Sequence, residues 1–142
     1  MDELDARIAE LFTGADGLNC AQAIMQLSLE LRGEHNPGLI RALGGLGGGL
    51  GCGKSCGTLL GGCCLLASYG ARGALGERER FDCRALVAQL VAWFEQAYGS
   101  TDCRDLVAPD PMAIMDVCPG LIRATFLRCM DILNDAGVDP AE

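Results

Sequence analysis

The sequence predicts an all-α fold, a bundle of about six or seven helices with a glycine-rich loop before a buried central helix. Three observations lead there. Apolar residues recur at helical spacing along most of the chain, no stretch sustains the alternation of a half-buried strand, and cap and stop residues punctuate the periodic segments. At 142 residues the chain reads as one cysteine-rich domain, 1–142, large enough to bury a core without disulfides as staples.

Asp2 to Phe12 carries Leu4, Ile8, Leu11 and Phe12 on one helical stripe, and Gly14 to Gly17 closes it. Asn19 caps a second helix, about Cys20 to Leu31, with Gln22 placed to complete a capping box. "HNPG" opens a third, with Asn36 as cap and Pro37 at the first helical position, running to about Leu43. Gly44 to Gly53 holds seven glycines in ten residues and reads as a tightly turned loop. Ser55 then caps a fourth helix, Cys56 to about Tyr69, apolar on all sides and therefore buried. A fifth runs from about Glu77 to Tyr98, and a short sixth opens at Asp102. The last runs from Pro119 to about Ala136, closed by Gly137.

Composition removes several function classes. The 11 Lys and Arg are scattered against 19 Asp and Glu, a net charge of −8, so no basic patch exists to neutralise nucleic-acid phosphates. The stretch Ser55 to Gly70 is too short to span a bilayer, which needs about 20 apolar residues. "MDELDARIAELF" is acidic and amphipathic, unlike a secretory signal, so a cytoplasmic location is expected. His35 is the only histidine, which excludes sites built from two or more imidazoles. With no His-based triad, and carboxylates mostly at helix starts and exposed faces, acid–base hydrolysis is excluded as well.

"GGLGCGKS", Gly48 to Ser55, matches the phosphate-binding pattern G-x-x-x-x-G-K-[ST] letter for letter. Such a loop needs a buried strand leading into it. The residues leading in, "NPGLIRALGGL", start like a helix and hold no β-branched run, and "PMAIMD", ending at Asp116, is a poor candidate for an acidic strand end. The nucleotide reading is therefore set aside.

Nine cysteines in a chain expected to meet reducing conditions point to metal, redox chemistry or packing. Cys83, in register with Val87, Leu90 and Phe94, and Cys129, in register with Ile122, Phe126 and Leu133, fall on apolar helix faces and read as small core residues. Cys63 and Cys64, neighbours on the buried helix, read as packing too. The remaining group shares an electrostatic position. Cys20 follows the cap Asn19, Cys56 follows Ser55, Cys103 follows Asp102, and Cys118 precedes Pro119, so all four belong to predicted helix N-termini. There, free N–H groups favour a thiolate and lower the thiol pKa.

At these residues the sequence resembles the small redox proteins of the C-GCAxxG-C-C family. The matching segments are "LNCAQAI" with Cys20, "CGTLLG" with Cys56, "YGSTDCRDLV" with Cys103 and "DVCPGLI" with Cys118, in the family's order over nearly the whole chain. Thr58 replaces the alanine of the C-G-A-x-x-G motif, and Cys52, Cys63 and Cys64 are additional, with Cys52 near enough to Cys56 to join or replace a motif ligand. The resemblance implies four positions and redox activity, but no particular reaction. It also gives the glycines a purpose: a loop lacking side chains lets the start of the Cys56 helix approach other helix ends. Lys54, beside Cys56, would then offset thiolate or cluster charge.

Three functions compete. In the first, Cys20, Cys56, Cys103 and Cys118 ligate a [2Fe-2S] or [4Fe-4S] iron–sulfur cluster for electron transfer with a redox partner protein, four thiolates being the ordinary ligand set. In the second, two of the same thiols cycle as a thiol–disulfide oxidoreductase or redox sensor, with Cys56 attacking. In the third, the four hold structural zinc or a soft metal, without the short paired spacings usual for such sites. A small apolar chain with exposed helix ends also raises the expectation of a homodimer.

Overall fold

The computed structural model describes residues 2–13 and 16–142, and the stop expected at Gly14 lies outside them. The helices are α1 (Glu3–Leu11), α2 (Cys20–Leu31), α3 (Pro37–Ala42), α4 (Gly57–Ala67), α5 (Cys83–Tyr98), α6 (Cys103–Leu106) and α7 (Pro111–Asp135). Among the described residues no strand forms. The only pairing of that kind is a single antiparallel bridge between Ser55 and Asp102.

Local sequence sets most of these boundaries. Asp2 accepts the Asp5 N–H at the start of α1. Asn19 and Gln22 form the expected capping box on α2, and Asn36 with Pro37 opens α3. Gly99 and Gly137 stop α5 and α7 with a left-handed φ of 79° each.

Three expected starts move. The fourth helix begins at Gly57 rather than after a Ser55 cap, because Ser55 is engaged in the bridge to Asp102 and Cys56 itself holds the cap position. The fifth begins at Cys83, not Glu77. Residues 71–82 form a turn in which the Arg80 N–H reaches back to the Gly70 carbonyl and the Phe81 ring lies over Gly70, and Asp82 supplies the cap to Ala85. The last helix begins at Pro111, capped by Asp110 through the N–H groups of Met112 and Ala113, and it runs straight through Pro119. The combination of cap and first-turn proline that signals a helix start is at Asp110–Pro111. Pro119 removes one internal N–H without ending the helix, because the residues either side are held by packing.

The core is arranged around α4. Gly61 lets α4 close on α2, since a Cβ there would stand 2.8 Å from both Cα and the carbonyl oxygen of Ala21. On the opposite side Gly62 faces Leu90 of α5 and Thr125 and Cys129 of α7. Leu65 and Leu66 are completely buried, as are Ile24, Leu90, Phe94, Ile122 and Leu133 from the surrounding helices. α1 packs on α7, and at its edge Arg123 bridges to Asp2 (2.9 Å) and Asp5 (3.2 Å). With α4 enclosed by α2, α5 and α7, its first turn, the start of α2 and the short α6 meet at one end of the bundle.

Candidate functional site

The meeting of those helix starts is built largely from backbone. Ser55 and Asp102 pair, the Cys56 N–H donates to the Thr101 carbonyl (2.7 Å), and the Cys103 N–H donates to the Lys54 carbonyl (2.7 Å). Two cysteines 47 positions apart in sequence are thereby set side by side. The glycine-rich stretch wraps around them. Gly48, Gly49, Leu50, Gly51 and Gly53 all take left-handed backbone, and at Gly49 a side chain is impossible: a Cβ would lie 2.7 Å from the Cys103 Cβ and 2.6 Å from the Lys54 carbonyl. Leu50, at φ 63°, is the non-glycine residue held in this strained region.

Cys20 comes in from α2. The Asn19 side chain donates to the Gly44 carbonyl (3.0 Å) and Gln22 to the Ile40 carbonyl (3.0 Å), fastening the start of α2 to the segment that leads into the glycine loop. The Cys20 sulfur sits against the first turn of α4, where a Cβ on Gly57 would come within 2.5 Å of it. Cys118 comes from α7, which presents Ile114, Cys118 and Leu121 on one face.

All four cysteines line a single cavity of about 880 Å³, and Cys52, from the glycine loop, lines it too. The sulfurs are near enough to repel one another as thiolates: Cys118 feels Cys20, Cys56 and Cys103, while Cys56 feels Cys20 and Cys103. The walls are mostly apolar. Arg104 is the one charged residue among the described residues lining the space, and its Nε donates to the Gly53 carbonyl (3.0 Å). Among the described residues no carboxylate or imidazole lines it.

Two electrostatic expectations are corrected. Burial pushes the Cys56 thiol up from its ordinary value. The N–H groups of Leu59 and Thr58, at the helix end, pull the other way without prevailing. Cys103 is also raised, by burial and then by Cys20. Cys118 is raised by burial and by its three thiol neighbours to about 12, and it stands in the interior of α7 with no helix end to help it. Conversely, Cys83 does follow a working cap, Asp82, yet it lies outside the cavity. Helix starts therefore do not distinguish these four thiols, which share one cavity with Cys52.

Lys54 also departs from expectation. It is exposed and does not line the cavity, where it contributes only through its backbone, and the nearby charge belongs to Arg104. The segment entering "GGLGCGKS" is α3 followed by a 3-10 turn, Leu43–Gly45, so the strand of a phosphate loop is missing, as the sequence indicates. Cys63 and Cys64 are half-buried against the core, and the buried Cys129 donates a long contact to the Gly62 carbonyl (3.7 Å), all consistent with packing. Cys83 lies at the edge of the α5 stripe, which is formed by Leu86, Leu90 and Phe94.

Chemically, this donor set suits a sulfur-ligated group. All nine cysteines are free thiols. Among the described residues no three His, Cys, Asp or Glu side chains close on one point as a single metal ion requires, with sulfurs each about 2.3 Å from it. A cluster, whose ligands bind different metal atoms, spreads its sulfurs more widely. The cavity also contains an orphan: Thr58 is 1% exposed, and its hydroxyl has no partner in the protein.

Fold and site together define a helical thiol protein in which cysteines dispersed along the chain meet in one cavity. Residues 18–135 match the family model described as "Putative redox-active protein (C_GCAxxG_C_C)", and the chain belongs to this family. No curated protein and no solved structure gives a match. Among the described residues no helix is long and apolar enough to cross a membrane.

Proposed function

We propose that the protein is an electron carrier holding an iron–sulfur cluster, [2Fe-2S] or [4Fe-4S], through Cys20, Cys56, Cys103 and Cys118. The observation that carries this reading is the convergence of those four thiols and, among the described residues, of no carboxylate or imidazole on one largely apolar cavity. When bound, the cluster would supply one-electron transfer. The chain's own residues supply the rest. Four sulfurs bind, the N–H groups of Leu59 and Thr58 favour the charged form of Cys56, and the apolar walls of Leu18, Ile114 and Leu121 keep water away. Thiols held protonated by burial must each release a proton on ligation, so loading is favoured as pH rises.

Anaerobic reconstitution with ferrous iron and sulfide tests this. The expected outcome is a brown protein with stoichiometric iron and acid-labile sulfide, and Cys→Ser changes at 20, 56, 103 and 118 should abolish or destabilise the colour, while Cys83→Ser should not. A colourless protein without iron or sulfide refutes the reading. One observation supports a second function, dithiol–disulfide exchange: Cys52 is exposed on a left-handed loop at the same cavity, which makes it, and not Cys56 with its raised pKa, the thiol placed to attack. A disulfide between Cys52 and a motif cysteine, formed reversibly in a glutathione buffer by metal-free protein, would favour it.

A further inference from the structure

The Thr58 hydroxyl is buried and has no partner in the protein, although such groups are rarely left unpaired. A helical threonine usually escapes this by donating to a carbonyl one turn earlier. Thr58 stands in the first turn of α4, where the residue four back, Lys54, lies outside the helix and its carbonyl receives the Cys103 N–H. Thr58 is one of the residues lining the thiol cavity, two positions from Cys56 and beside Gly57, against which the Cys20 sulfur rests. Thr125 provides an internal comparison. Its hydroxyl is equally buried and equally unpaired, but it faces Gly62 in the core and does not line the cavity.

We infer that the Thr58 hydroxyl is a hydrogen-bond donor to a sulfur of the group held by the cavity thiols, and that it raises the reduction potential of a cluster seated there. This rests on the cluster reading above. The physical reason is charge: a reduced cluster carries one more negative charge than the oxidised one, so a fixed donor beside its sulfur stabilises the reduced form more. The alanine of the family motif has no such donor, so this chain carries a setting of its own at the position.

The test compares wild type, Thr58→Val, Thr58→Ser and Thr125→Val after reconstitution with ferrous iron and sulfide. The readouts are thermal melts of the metal-free proteins and the midpoint potential of the loaded ones, titrated anaerobically with dithionite and mediator dyes. Metal-free Thr58→Val should melt no lower than wild type, since the hydroxyl it loses has no internal partner. Loaded, it should shift the reduction equilibrium about tenfold toward the oxidised form, about 59 mV more negative for a one-electron couple. Thr58→Ser and Thr125→Val should keep the wild-type potential. Loss of loading in Thr58→Val alone would also support the inference, through affinity. A Thr58→Val potential equal to that of Thr125→Val overturns the inference and leaves the cluster reading standing, as does a metal-free Thr58→Val that melts well below wild type. A wild-type protein that takes up no iron and sulfide overturns both.

Discussion

At Cys56, Cys103 and Cys118 the cost of burying a thiolate outweighs any help from a helix end, so the metal-free protein holds these thiols protonated near neutral pH. Cys52 differs in being open to solvent on the glycine loop, its sulfur held only by a long contact to the Gly49 carbonyl (3.6 Å). Brief iodoacetamide treatment of metal-free protein at neutral pH, read by peptide mass spectrometry, should therefore modify Cys52 first, with Cys118 and the buried Cys129 among the last. Equal labelling of all nine would show that the cavity opens on the timescale of the reaction. The sequence places Cys52 near Cys56 and leaves its membership of the site open; the loop geometry brings it to the cavity.

The positions of α2, α4 and α6 depend on two devices, small residues at the α2–α4 contact and the bridge between Ser55 and Asp102. At Gly61 the obstacles include the backbone of Ala21, 2.8 Å from a Cβ placed there, which cannot rotate away. Gly61→Ala should cost about 1–3 kcal/mol by urea denaturation. Gly120→Ala is the control: it is also inside a helix, a Cβ there meets nothing within 4 Å, and the change should stabilise by about 0.5–1 kcal/mol. If both variants matched wild type, the close approach of α2 and α4 would not be limiting. At this scale the local start signal at Pro119 is overridden by α7's packing, whose Ile114–Cys118–Leu121 face spans the proline.

Across the whole molecule the buried thiols form one titrating population. Burial raises Cys63 to about 11 and Cys118 to about 12, and Cys129 further still, from an ordinary value of 9.0. In the unfolded chain the same groups lose protons near 9.0, so above that pH the native state binds more protons than the unfolded state and stability falls as pH rises. The expected result is a metal-free protein whose urea midpoint is flat from neutral pH to about 9 and then declines steadily toward 12, a decline that replacing Cys129 with Ala or Val should lessen. A midpoint independent of pH through that window would contradict the burial of these sulfurs. The Arg123 pairs with Asp2 and Asp5 lie at the surface, where solvent screens them, and add little to this balance.

Periodicity, propensity and capping act within a few residues, so the helical class, the buried α4 and the caps at Asn19 and Asn36 are legible in the chain alone. The family motif, read along the chain, points to Cys20, Cys56, Cys103 and Cys118, while the helix-start signal read beside it fails at Cys118, inside α7. Only the tertiary structure decided that these four face one cavity, that Cys52 and Arg104 join them there while Lys54 stays outside, and that Thr58 has no partner of its own. The physical reason is that burial, desolvation and hydrogen-bond satisfaction depend on what distant segments bring alongside. Here that is settled by glycine contacts at Gly49, Gly57 and Gly61, whose partners the sequence does not name, and by one backbone bridge between residues 47 apart, which has no local signal.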